Sequence, residues 1–484
     1  MTEVSLNQIS KFCLVFIFIT ATCLMITKSS KEIATRVSSQ MKVMSIEKEI
    51  TRMRRQLDPN SECQSEYYCK RPETQHIDCG RVLRGDKNYT YSISNRKRIP
   101  LIENTKLDMS CSAIKFRITR NHRKLKTLKM PIAFARIVYK DYEFLEKQVE
   151  VSWHSQNYFC FVIDSKAKKN FKSMIRDLGK CLPNVIVLDE ELRTDSFGHN
   201  INMAHYKCMQ KMKDLPGWTY LMTLQNHDVI GKSVYEISKI LELFGGANDV
   251  EFKREYGRIE KQFQWDVRSL KLFRNESLVT PDDISRSLDI KKGAVQATIS
   301  RAAVEWMVDT VDPTIYLEQW NHGWYGVDEQ WLSTFQANEF LGMPGHFTGE
   351  CLKRDKDYQL DFVSRWDTWQ YDNKYVASLD KRCGSKHLRH NICLLGIEDL
   401  PSIAQMPNLM FNKVIPSFDY SIVDCTAELL FNRTFLEQED HQLEETYYEN
   451  MVNVLYHKHH LEPGYKLNCT PNYQVWRDRK IKFL

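Results

Sequence analysis

The residues with the most chemical reach lie in one stretch, His322 to Phe335, HGWYGVDEQWLSTF. A fixed carboxylate beside flat apolar rings can take a proton from a sugar hydroxyl. Glu329, with Trp324, Tyr325 and Trp331 around it, offers both parts. Gly323 and Gly326 break the preceding structure. Asp328 stands where a helix N-cap belongs, Glu329 falls in the first turn, and Trp331, Leu332 and Phe335 share a face. The helix is expected to stop before Gly342-Met343-Pro344-Gly345. Acidic residues are ordinary at helix starts, where the dipole and free N–H groups hold them ionised. Capping is therefore the plainer reading of the same pattern, and a base for proton transfer the sharper one.

Two cations have the right charge for a leaving diphosphate. Arg389 lies between Cys383 and Cys393, and a disulfide between those two would close a short loop and fix the guanidinium. Lys413 lies in the next segment, Met410 to Val414. Arginine grips phosphate bidentately, and lysine acts as a point charge. Taken singly, each is most simply a surface residue in a salt bridge. A metal is the other means of neutralising a diphosphate. Asp355-Lys356-Asp357 has the Asp-x-Asp spacing, but no strand precedes it and it reads as a surface loop. Asp228 is a lone carboxylate, a poor metal site. No metal and no other cofactor is expected.

These residues need a frame, and the chain supplies one from Pro131 onward. Strands are expected at 132–138, 158–163, 184–188 and 220–224. Helices are expected at 141–153, 168–178 and 201–213. Strand–helix alternation at this pitch means a parallel sheet with both faces covered. Ligands of such sheets bind beyond the carboxyl ends of the strands, which puts Asp164 and the turn Asn226-His227-Asp228 at the mouth of a nucleotide-type site. Lys292–Ser300 is a further strand candidate, and 301–311 is expected to be helical.

The surroundings of this frame point to a secretory lumen. The apolar run Phe12–Thr27 is flanked by Lys11, Lys28 and Lys31 and reads as an uncleaved, slightly short membrane anchor, with a cleaved signal peptide as the rival reading. It divides the chain into a cytoplasmic tail (1–11), the anchor (12–27), a stem and cysteine-bearing lead-in (28–110), a catalytic domain (111–435) and a C-terminal extension (436–484). Val43, Ile46, Ile50, Met53 and Leu57 repeat at heptad spacing, a short stem helix through which two copies could pair. The chain has 14 cysteines, two of them in the apolar run, and no CxxC pair suggests zinc. Sequons stand at Asn88, Asn275, Asn432 and Asn468. Cysteines and sequons together suit an oxidising lumen. A net charge of +6 on 484 residues is too weak an excess to argue for nucleic acid. The basic run Lys115–Lys129 reads as a solvated face.

In this order and spacing the residues resemble the core 2/I-branching β-1,6-N-acetylglucosaminyltransferases, whose relatives include the peptide xylosyltransferases. The resemblance runs from about Cys111 to Leu430. Tyr158–Ala167 is similar to the family's donor-site strand and turn, and Asp328–Thr334 to its Asp-Glu helix start. Trp369-Gln370-Tyr371 resembles an acceptor-contacting motif. His387–Arg389, with Gly396 and Asp399 after it, resembles the arginine segment, and Asn412-Lys413 the lysine segment. The resemblance implies a metal-independent GT-A-like α/β fold and an inverting transfer from a UDP-sugar to a glycan, in the Golgi membrane with the catalytic domain luminal. It implies Glu329 as base, Asp164, Arg389 and Lys413 on the donor, and Glu251, Trp369 and Tyr371 on the acceptor. It also implies disulfides Cys160–Cys208, Cys111–Cys181 and Cys383–Cys393, with Cys425 joined to an early cysteine. The turn after 224 and the region 248–268 depart from the family pattern. This leaves open the acceptor and the donor sugar, with glucose or xylose as alternatives. A glycan-binding module without activity is the rival from another class.

Overall fold

The computed structural model describes residues 68–94, 98–119, 125–370, 383–436 and 442–472. The apolar run 12–27, the stem repeat and Tyr371 lie outside the described residues. No helix among the described residues is long and apolar enough to cross a membrane. The chain forms two compact units, Met1–His76 and Ile77–Leu484. Of the first, residues 68–76 are described, and they are mostly turn.

The second unit is mixed α/β. Its strands are β1 (Ile132–Val138), β2 (Tyr158–Ile163), β3 (Val185–Val187), β4 (Tyr220–Leu224), β5 (Val229–Ile230), β6 (Lys253–Arg254), β7 (Lys291–Lys292), β8 (Thr298–Ser300), β9 (Arg365–Trp366), β10 (Leu388–Arg389), β11 (Ile392–Cys393) and β12 (Met410–Phe411). The main sheet has the order β3-β2-β1-β4-β8, with β8 antiparallel to β4 and every other pairing parallel. Alternate residues of β1 and β2 serve two cores. Ile132, Phe134, Phe159 and Phe161 join Phe144, Leu145 and Ile175 on one face. Ala133, Ala135, Cys160 and Val162 join Ala204, Cys208 and Met209 of the helix Ile201–Met212 on the other. Burial on both faces is why these strands read as continuous apolar runs.

The second half holds the differences from expectation. The strand expected over 292–300 is two short pieces, β7 and β8, with a turn at Gly293-Ala294 between them. The helix over 301–311 is α-helical only to Glu305 and continues as a π-helical turn, Trp306–Thr310. The helix expected to start at Glu329, behind an Asp328 cap, starts at Trp331, with Gln330 in the cap position and no side-chain cap bond. Asp328 and Glu329 therefore precede the helix, so its dipole is not what holds them. A second sheet, β5-β12-β9, stands beyond the end of β4.

Among the described residues, five disulfides staple the unit. Cys111–Cys181, Cys160–Cys208 and Cys383–Cys393 pair as the resemblance implied. Cys425 pairs with the early Cys79, across a sequence separation of 346. Cys351–Cys469 holds the C-terminal segment beside Phe252, Phe347 and Tyr456, which form a small separate core.

Candidate active site

The site grows from the turn after β4. Fully buried Asp228 accepts a backbone N–H from Gln225 at 2.6 Å, the Asn412 amide at 2.7 Å and the Gln296 amide at 3.0 Å. Arg136, buried within β1, donates to the Asp228 carbonyl at 2.9 Å. Burial pushes this guanidinium down to about 10 against the pull of Asp228. Asp228 is thus a structural hub whose oxygens are engaged by neutral amides.

Arg365 of β9 carries the network outward. It donates to Gln296 at 2.8 Å and to Asn412 at 3.2 Å, and pairs with Asp367 at 2.8 Å. Burial raises the Asp367 carboxyl, and Arg365 opposes it. Lys413 follows Asn412. Burial, then Arg365 and Arg389, lower its ammonium to about 8, while Asp228 and Asp367 pull the other way. Arg389 sits exposed on the hairpin β10–β11, which the Cys383–Cys393 bond closes. Arg389 and Lys413 are thus close enough to repel, and a shared anion would relieve that repulsion.

Asp164 ends β2 buried. Its oxygens accept Thr194 Oγ1 at 2.8 Å and the Lys166 N–H at 2.8 Å. Tyr139, after β1, feels both Asp164 and Arg389, although burial is what mainly raises its hydroxyl. The structure therefore brings Asp164, Arg389 and Lys413 to one end of the site.

Glu329 lies at the other end. Its carboxylate pairs with Arg258 at 2.8 Å, and Arg258 also bonds Glu255 at 3.2 Å and the Gly326 carbonyl at 3.0 Å. Burial, then Glu329, lift the neighbouring Asp328 carboxyl to about 7 against Arg258 and Arg365. Glu251 accepts the Ala294 N–H at 2.9 Å, and Gly293 donates to the Glu329 carbonyl at 2.8 Å, so one turn holds both residues. That turn needs glycine: a Cβ at Gly293 would fall 1.9 Å from the Glu251 carbonyl oxygen. Burial pushes Glu251 up, but Lys253 at 2.6 Å and Arg365 more than offset it and leave the carboxyl below its ordinary value. Half-buried Trp369 bridges to Ile392 and bonds Asp367, joining this end to the hairpin.

Trp331, expected to offer a flat face to a sugar, is core. It is buried edge-on against Tyr206, while Trp324 and Tyr325 stay exposed. Asp355 and Asp357 lie exposed just past the helix Glu350–Arg354, away from any strand end. Asn88, Asn275 and Asn468 are exposed and Asn432 is half-buried. Sequence reasoning missed Arg258, Arg365, Gln296 and Asp367. The first lay in the stretch that departs most from the family pattern, Gln296 stood inside a strand candidate as a lone polar residue, and Arg365 and Asp367 stand singly in a segment without periodicity.

With this geometry in view, the comparisons with known proteins fall into place. Residues 132–404 match the family model described as Core-2/I-Branching enzyme. The chain is a glycosyltransferase. Since the match spans over half of its length, it belongs to the Core-2/I-branching enzyme family. A relative from Rattus norvegicus, beta-1,3-galactosyl-O-glycosyl-glycoprotein beta-1,6-N-acetylglucosaminyltransferase 3, is 25% identical over 377 residues, 74% of this chain and 84% of that protein. A protein of the same activity name from Bovine herpesvirus 4 (strain LVR140) is 24% identical over 376 residues, 75% of this chain and 83% of that one. Among solved structures, the mannosyltransferase Ktr4p from S. cerevisiae aligns with a TM-score of 0.20 at 12% identity, covering 50% of this chain and 75% of that one. So slight a likeness carries no argument.

Proposed function

We propose that this enzyme transfers N-acetylglucosamine from UDP-GlcNAc, in β-1,6 linkage, to a galactosyl-containing glycan by inverting single displacement. The observation that carries the reading is the separation of charge across one network. The cations Arg389 and Lys413 sit at one end, the carboxylate of Glu329 at the other, and Arg365 between them. Glu329 takes the proton of the acceptor hydroxyl. That oxygen bonds to the anomeric carbon from the face opposite UDP as the carbon–oxygen bond to UDP breaks, and the electron pair leaves with the diphosphate. Arg389 and Lys413 meet the charge that develops there. Asp164 positions the nucleotide end through its turn. Glu251 and Trp369 shape the acceptor end. The names of the relatives support the donor sugar and linkage.

A metal-independent reaction is part of the proposal. The Asp228 oxygens already hold the Gln296 and Asn412 amides, and Lys413 lies within electrostatic reach of both Asp228 and Arg389. The apolar run 12–27, the disulfides and the sequons support a type II Golgi enzyme with a luminal body. The test is transfer by the purified full chain from UDP-GlcNAc, UDP-glucose and UDP-xylose to a β-1,3-galactosyl disaccharide, with and without EDTA. Transfer from UDP-GlcNAc that survives EDTA is expected. Preference for another sugar overturns the donor assignment, and activity lost to EDTA and restored by Mn²⁺ overturns the metal-free one.

A further inference from the structure

Three aromatic side chains beside Glu329 have no place in the chemistry above. Trp324 is 74% exposed, Phe197 48% and Tyr325 41%. Scattered exposed apolar residues are ordinary, but these three are contiguous. Tyr325 stands between the other two, with ring centroids 5.7 Å from Trp324 and 6.2 Å from Phe197.

Their backbones are fixed. The Val327 N–H donates to the Phe197 carbonyl at 3.1 Å. The His199 ring bonds the Gly323 carbonyl at 2.9 Å through Nε2 and the Asp195 carboxylate at 2.8 Å through Nδ1. Asn200 and Asn321 exchange two bonds at 2.9 and 3.0 Å. Two loops far apart in sequence are thus laced into one rigid shelf. The shelf adjoins Glu329 through the loop backbone, where the Glu329 N–H meets the carbonyl of Gly326, the residue after Tyr325, at 3.4 Å. Arg258 ties the two together, bonding the Gly326 carbonyl at 3.0 Å and the Glu329 carboxylate at 2.8 Å.

We infer that Phe197, Trp324 and Tyr325 form a stacking shelf for the part of a carbohydrate acceptor that lies beyond the reacting sugar. This inference rests on the proposed role of Glu329. The occupant is a pyranose chain for three reasons. The shelf is continuous with the place where a sugar hydroxyl must sit. Its rings are exposed, Trp324 most of all, on a backbone that need not be ordered on binding. Its polar groups, His199 and the asparagines, are spent on the loops and leave the rings to act through their faces. Aromatic rings contribute large contact area at few rotatable bonds, and sugars present a C–H face that meets them.

The test compares two acceptors with the same reacting disaccharide, one a methyl glycoside and one extended by two further pyranose residues, on the full chain. Wild type is expected to prefer the longer acceptor. Trp324→Ala, at an exposed side chain whose loss leaves no cavity, is expected to lower the long-over-short ratio of kcat/KM about tenfold, mainly through KM, as truncation of an aromatic anchor does. Tyr325→Ala is expected to act in the same direction. UDP affinity, read by calorimetry, reports an intact donor end in each variant. In parallel, the extended oligosaccharide is titrated at millimolar concentration into Glu329→Gln protein, with and without Trp324→Phe, and tryptophan emission is followed. A change that depends on Trp324 is expected. An unchanged ratio, or no Trp324-dependent emission change, overturns the shelf. If wild type transfers to neither acceptor, the proposed function has failed while the emission titration still decides the shelf.

Discussion

Glu329 and Lys413 mark the two ends of the reaction proposed here, and each gives a test of its own. Glu329→Gln keeps the side chain's size and removes the base. Turnover should fall about 10²–10⁴-fold, the usual contribution of general base catalysis. Folding should lose about 0–1 kcal/mol, since the pair with Arg258 is partly exposed and Arg258 keeps Glu255. Near-normal turnover in the folded variant, measured with saturating substrates, returns Glu329 to a purely structural role. Lys413 titrates near 8 in the free protein, because burial and two guanidinium groups disfavour its charge. A bound diphosphate restores the charge, so UDP affinity should weaken as pH rises through about 8. Lys413→Arg, charged throughout, should flatten that dependence. The sign for stability is opposite. The folded pKa lies below the unfolded value of about 10.4, so the unfolded chain binds the proton more tightly. This group's contribution makes the unliganded protein more stable as pH rises from about 8 to about 10. UDP calorimetry and thermal melts across that range check both signs, and a flat wild-type affinity profile would remove Lys413 from the diphosphate.

Among the elements, the hairpin β10–β11 shows how a short piece can matter more to binding than to stability. Cys383–Cys393 closes a loop with a sequence separation of 10 and carries Arg389 on its first strand. Replacing both cysteines with serine should cost about 2–3 kcal/mol by the loop-entropy argument. UDP affinity should fall by about tenfold if the loop is what aims the guanidinium, and calorimetry on the folded double variant measures it. An unchanged affinity would mean that β11 and Trp369 suffice to hold the hairpin. Elements of this size also decide how much was legible beforehand. β1, β2 and β4 begin and end where their apolar runs do, because burial on both faces writes an unbroken hydrophobic signal. β5, β9 and β12 have two residues each, too few for any periodicity, yet their sheet positions Arg365 and Lys413. The helix after Glu329 began two residues late, because Asp328 has the composition of a cap but its carboxylate turns to Gln225 at 3.5 Å. Glu329, Arg389 and Lys413 could be named from resemblance. Arg365 and Arg258 could not, because single charges acquire meaning only from the groups the fold packs around them.

On the scale of the whole molecule, Cys79–Cys425 ties the helix Cys79–Leu83 to the helix Ser421–Phe435 across a separation of 346. The chain-entropy argument makes it the most stabilising of the five bonds, at about 6 kcal/mol. A Cys79→Ser, Cys425→Ser double variant should therefore melt well below the Cys383→Ser, Cys393→Ser one while binding UDP more nearly like wild type. Scanning fluorimetry with calorimetry on both gives the comparison, and the reverse order of melting would place the weight of stability elsewhere. The same bond has a mechanical meaning. A molecule pulled at Cys79 and Cys425 themselves transmits tension through the covalent link, which carries it past everything between them. The sheet, the acid–cation network and the aromatic shelf all lie inside that closed ring. Stretched in an optical trap by handles at positions 78 and 426, the oxidised protein should not lengthen, and extension should appear only after a reductant is added.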